Sequence, residues 1–130
     1  MKALSVRGDY IMDMVEGTKT IEYRTWSTNY RGPILMCSTT KKVAGAAPGY
    51  AIMVAMITDI TWSDFNECYE WHIEPIDNSK DSSYLIEPIH IKGQLKLFNV
   101  DDQLIKPINK KQWQKLVEPL IYRPKNIRIN

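Results

Sequence analysis

Cysteine is nearly absent from the chain: Cys37 and Cys68 are its two cysteines, far apart and outside any C-x-x-C spacing. A disulfide framework and a cysteine-based zinc site are therefore not expected, and reduced thiols in a cytoplasmic protein are the simpler expectation. Histidine is as scarce. His72 and His90 stand at no metal-ligand spacing with cysteines or carboxylates, so no metal and no other cofactor is expected. No run of about 18 apolar residues occurs, which excludes a membrane-spanning helix of the usual kind. The first ten residues, MKALSVRGDY, lack the apolar stretch of a secretory leader. The glycine-containing segment 41–49, KKVAGAAPG, lacks the G-x-x-x-x-G-K-S/T spacing of a phosphate loop, and Lys41 and Lys42 read as solvated. Ser38 has no G-x-S-x-G elbow around it. Repeats, low-complexity tracts and obvious linkers are also missing.

What remains is an ordinary globular composition. The 130 residues are 44% apolar and 25% charged, values that fit one domain, taken here as 1–130, with a real core. The net charge of +2 conceals an uneven distribution. Residues 1–58 carry a net +3, residues 59–91 a net −7 and residues 92–130 a net +6. A basic surface beside an acidic one suits a polyanion approached from one side. The competing reading is that the segments neutralise one another on folding.

Along the chain, KALSV at 2–6 reads as a strand, and Asp9 as the N-cap of a short helix. Tyr10, Ile11, Met14 and Val15 give that helix one apolar face, and Gly17 stands where a left-handed C′ residue is expected. Thr20 to Trp26 reads as a strand, with Ile21 and Tyr23 on one face and Glu22, Arg24 and Trp26 on the other. Asn29 to Pro33 is turn chemistry. Ile34 to Ser38 and the long apolar stretch Tyr50 to Ile60 read as strands, the second central, with Cys37 a buried small hydrophobe. Ser63 to Glu70 is expected as a short helix capped by Ser63, followed by a strand at Trp71 to Ile73. Trp71 reads as core. An exposed loop at 78–83 precedes strands at Tyr84 to Ile91 and Leu95 to Val100. A helix is expected from Lys110 to Val117, after Pro107, and a basic tail follows Pro119. Five to seven short strands with two or three helices, in no βαβα order, predict a mixed α+β fold, a closed or half-closed barrel with peripheral helices.

The stretch at 17–24, GTKTIEYR, places three ionisable groups beside a strand. Lys19 falls at the corner between helix and strand, and Glu22 and Arg24 fall on one strand face. A guanidinium forks onto a phosphate or a base edge, a lysine meets a phosphate or a base carbonyl, and a carboxylate accepts from an exocyclic amine. Trp26 or Tyr30 can supply a stacking face, worth about 1–3 kcal/mol per base. Arg31, next to Tyr30, can reach over the same site. The competing reading is a salt bridge that orders the strand, worth only about 0–1 kcal/mol if exposed.

GTKTIEYR also fits the G-x-K-x-x-E-x-R signature of the ASCH (activating signal cointegrator homology) family, within the PUA-like superfamily of β-barrels. KALSVRGDY, RTWSTNYRGPILMCST, EWHI and IHIKGQLKLFNV resemble further segments of that family in the right order, so the resemblance covers about residues 2–101. The helix and basic tail at 102–130 lie outside it; Arg123, Lys125 and Arg128 of that tail are candidates for extra phosphate contacts. The chain departs from the family pattern at Asp9, usually proline, at Lys96, usually glycine, and at Phe98, usually tryptophan. The resemblance implies an RNA- or nucleotide-binding module with a cleft lined by Lys19, Glu22 and Arg24, with Trp26, Tyr30 and Arg31 as further contacts. A second implication is a hydrolase on RNA or a modified nucleoside, with Lys19 and Glu22 as catalytic groups. In the amidohydrolase relatives on acetylated cytidine, a threonine stands where this chain has Glu22, and a distant glutamate corresponds by region to Glu67, Glu70 or Glu74. A third implication is a protein-interaction module. Oligomeric state is left open.

Overall fold

The structure, a computed structural model, describes residues 1–77, 79 and 81–125. The chain runs β1 (Lys2–Val6), α1 (Gly8–Glu16), β2 (Ile21–Arg24), β3 (Gly32–Ser38), β4 (Tyr50–Ser63), β5 (Cys68–Ile73), β6 (Tyr84–His90), β7 (Phe98–Asn99) and α2 (Lys110–Val117). Single 3-10 turns lie at Asp102–Leu104 and Glu118–Leu120. The mixed α+β class stands. The barrel does not: the strands form one sheet in the order β2-β5-β4-β3-β1-β7, with β6 also on β4, and the sheet is not closed. Five of its pairings are antiparallel; β1 and β3 run parallel, with Leu4 opposite Met36.

β4 organises the sheet. Its apolar residues Ala51 to Ala55 are all buried, the pattern of a central strand covered on both faces. Alternation then splits β3 between two cores. Ile34 and Met36 join Ile11 and Met14 of α1 and Trp113 and Val117 of α2. Leu35 and Cys37 join Val54, Ile86, Phe98 and Val100 on the opposite side. α2 is fixed by a capping box between Asn109 and Gln112 and by Trp113, whose Nε1 donates to the Ile52 carbonyl at 2.9 Å.

Local signals locate most elements and misplace three. Gly17 does stop α1, at φ 84°, with its N–H donating to the Asp13 and Met14 carbonyls. The N-cap, however, is Arg7; Asp9 lies inside the first turn, where Oδ1 accepts from Arg7 Nε at 2.8 Å and from the Tyr10 N–H at 3.1 Å. The helix expected at Ser63 to Glu70 is the tip of the β4–β5 hairpin. Ser63 Oγ does accept from the Asn66 N–H, but Trp62 pairs with Tyr69 and Thr61 with Glu70, so ladder bonds replace helical ones. The strand expected at Leu95 to Val100 shrinks to Phe98–Asn99 because Lys96 is left-handed, at φ 56°, which breaks the extended run. The Thr20–Trp26 strand is confined to Ile21–Arg24. Among the described residues, no helix is long and apolar enough to cross a membrane.

Cys37 is fully buried and Cys68 half-buried, and both are free thiols. Burial pushes the Cys37 thiol up to about 12. A thiol so raised is almost entirely protonated near neutrality and is a poor nucleophile. A thiol-reactive reagent on the native protein is therefore expected to titrate Cys68 rapidly and Cys37 only after denaturant. Equal rates for the two would contradict the burial.

Candidate functional site

Glu22 is the centre of the charged cluster. It sits on β2 opposite Trp71 of β5, and its side chain is 6% exposed. Each oxygen has its own cation. Oε1 faces Lys19 Nζ at 3.3 Å; Oε2 receives Arg24 Nε at 2.9 Å and Nη2 at 2.8 Å. Arg24 Nη2 also donates to the Ser5 carbonyl of β1 at 2.6 Å. That bond ties β2, an end strand of the sheet, to β1 near the sheet's other end. Arg24 Nη1 has no acceptor among the described residues.

Exposure rises outward through the cluster, from 6% for Glu22 to 15% for Lys19 and 23% for Arg24. The anion is buried and the cations meet solvent, so the outer face is positive. Lys19 is held further by two rings: its ammonium lies 5.0 Å from the Tyr10 centroid and 5.1 Å from that of Tyr23. Such contacts at exposed sites are worth about 0.5–1 kcal/mol each. Alternation alone sets Tyr23 on the face away from Glu22. Lys19, standing before the strand begins, reaches both.

Trp26 adjoins the cluster through Trp71. Trp71 is fully buried, stacks edge-on against Trp26 at 4.9 Å between centroids, and donates from Nε1 to the Trp26 carbonyl at 3.3 Å. Trp26 itself is half-buried, packed against the edge of the core. Lys96 also approaches this ring, with Nζ 5.9 Å from the indole centroid. The left-handed backbone of Lys96 costs roughly 1–2 kcal/mol for a residue other than glycine. That backbone accounts for the glycine the resemblance places there.

Tyr30 and Arg31 are engaged elsewhere. Tyr30 Oη donates to the Pro33 carbonyl at 2.7 Å, and burial together with the nearby Asp102 charge raises its pKa. Arg31 Nη1 donates to the Thr28 and Tyr30 carbonyls at 2.8 and 3.0 Å, and Nη2 lies 3.5 Å from Asp59. These contacts hold the β2–β3 loop and include no member of the Lys19 cluster. Glu67 and Glu70 belong to the β4–β5 hairpin and Glu74 follows β5; none is ion-paired with that cluster. In the tail, Arg123 pairs with Glu118, while Arg128 lies outside the described residues.

Of the residues singled out from the sequence, Lys19, Glu22 and Arg24 form one cluster, and Trp26 adjoins it through Trp71. Sequence reasoning missed Tyr10 and Tyr23 as the cage around Lys19, the Ser5 carbonyl as the acceptor for Arg24, and Lys96 as the neighbour of Trp26. The readable signal was Lys96, a bulky residue in a position suited to glycine. Two cavities, one of about 640 Å³ lined by Ile76, Tyr84, Leu85, Pro107 and Ile108 among others, and one beside α1, include none of Lys19, Glu22 and Arg24.

The family model of the ASCH domain matches residues 4–97. That span runs from β1 to the segment before β7 and contains every member of the cluster. A search of curated proteins found no match.

Proposed function

Because this chain belongs to the ASCH domain family, we propose that it binds RNA or a nucleotide at the surface formed by Lys19, Glu22, Arg24 and Trp26. The observation that carries the reading is the order of exposure in the charged cluster. Glu22 is buried beneath Lys19 and Arg24, and these cations are the groups that meet solvent. A phosphate or an electronegative base edge meets an arranged pair of donors, with Arg24 Nη1 lacking an acceptor among the described residues. Trp26 supplies a partly buried indole beside them for base stacking. Tyr30 and Arg31 are left out of the proposed surface, since their polar groups hold the loop.

The same contacts favour binding over base catalysis. A general base needs an oxygen free to take a proton, and both oxygens of Glu22 are engaged by cations. Turnover of RNA or of an acetylated cytidine by the purified chain would shift the reading to the hydrolase alternative.

The test is fluorescence anisotropy with a short single-stranded oligoribonucleotide across a salt series. The wild type is expected to bind with an affinity that falls as salt rises, by counterion release. Arg24→Ala is expected to weaken binding about tenfold or more, since a charge-assisted hydrogen bond is worth about 1.5–3 kcal/mol. Lys19→Ala is expected to weaken it and to flatten the salt slope. Unchanged affinity and slope in both variants would contradict the proposal.

A further inference from the structure

We propose that Lys96 covers the stacking face of Trp26 in the empty protein and turns to the phosphate when a base takes that face. This rests on the nucleotide reading above and assigns Lys96 as the residue that distinguishes nucleotides from nucleosides.

Among the described residues other than glycine, Glu67 and Lys96 have positive φ. Glu67 stands at a hairpin tip, where a left-handed residue completes the turn. Lys96 belongs to no hairpin. It lies on an exposed stretch beside Leu95, which is 94% exposed, just before Leu97 and Phe98 pack into the cores. Glycine suits that backbone, so the lysine is the departure here, and its Nζ lies 5.9 Å from the Trp26 centroid.

The segment that carries Lys96 is anchored to the charged cluster. Ser5 Oγ donates to the Gln94 carbonyl at 3.3 Å, and a Cβ on Gly93 would collide with Ser5 Oγ, so the two backbones are in close contact. The carbonyl of that same Ser5 accepts from Arg24. Trp26 in turn reaches Glu22 through Trp71, the residue paired with it across the ladder. Lys96 and Arg24 therefore stand on connected elements around one indole.

Energetics decide which partner holds the ring. A cation–π contact at an exposed site is weaker than base–aromatic stacking, so an arriving base displaces the ammonium. The released lysine is a compact charge on a flexible four-carbon stem, suited to a phosphate on the displacing nucleotide. With Lys19 and Arg24 against Glu22, the added cation raises the local formal charge from +1 to +2.

The experiment is calorimetric titration of the full chain with the four ribonucleosides and, separately, their 5′-monophosphates at low salt. The wild type is expected to prefer at least one monophosphate over its nucleoside by about tenfold, the scale of one charge-assisted contact. Lys96→Gly is expected to bind the nucleoside at least as tightly, because the ring is uncovered, and to lose most of the preference. Glycine suits φ 56°, so this variant is expected to melt within a few degrees of the wild type. Lys96→Arg is expected to retain the preference. A preference that survives in Lys96→Gly overturns the role of Lys96 alone. Binding of neither probe class by the wild type overturns the nucleotide site, and this proposal with it.

Discussion

Glu22→Ala is expected to lower the unfolding free energy by about 3 kcal/mol. Removing one partner of a buried ion pair costs about 3–5 kcal/mol, because the remaining charge is left without its counterion. Here two cations are orphaned. Lys19 and Arg24 are 15% and 23% exposed, and water recovers part of their solvation, which sets the estimate at the low end of that range. Arg24 would also lose the acceptor that orients Nε and Nη2, and with it the geometry of its bond to Ser5. Glu22→Gln keeps the volume and one acceptor oxygen and is expected to cost less. Urea unfolding with linear extrapolation measures both. A loss below about 1 kcal/mol for the alanine variant would put the cluster with ordinary surface ion pairs.

Trp71→Ala is expected to cost about 3–5 kcal/mol, the usual range for truncating a large buried aromatic. The residue is 0% exposed, so little of the space it leaves is open to water. Its loss would also remove the ring against which Trp26 stacks and the donor to the Trp26 carbonyl. Since small domains have total stabilities of about 5–15 kcal/mol, this variant would be marginal or unfolded at ordinary temperature. Trp71→Phe keeps an aromatic body but no N–H, and is expected to cost appreciably less. Thermal melts compare the two, and near-UV circular dichroism reports whether the Trp26 environment survives in the phenylalanine variant. A wild-type-like melt for Trp71→Ala would contradict its place in the core.

How much of this was legible in the sequence depends on the range of the interaction involved. α2 was readable from Lys110 to Val117 because the preceding Pro107 is a local signal. The stop of α1 at Gly17 and the central place of β4 were readable for the same reason. Ser63 to Glu70 was misread because its capping serine is local, whereas the pairing of Trp62 with Tyr69 that decides its structure is not. Closure of the sheet depends on the whole strand order, and here β2 and β7 remain separate ends. At the site, the strand period alone put Glu22 and Arg24 on one face. The Ser5 carbonyl, the tyrosine cage and the Lys96 neighbour come from distant elements and left no local trace, apart from a lysine in a left-handed position.

The competing idea that the charged segments merely neutralise each other has a partial answer in the fold. Arg31 of the basic first segment approaches Asp59 of the acidic second one. Lys19 and Arg24, by contrast, share a carboxylate from their own segment, leaving the cluster one formal positive charge.

The central claim is that this cluster is where RNA or a nucleotide binds, and the most direct measurement is an NMR titration of the isotope-labelled chain with a short single-stranded RNA. Shift changes are expected at the Arg24 Nε–H, at the Trp26 indole N–H and along the backbone from Lys19 to Arg24, with Arg31 little affected. Changes confined to the C-terminal basic residues, or none at the Lys19–Arg24 segment at saturation, would contradict the account.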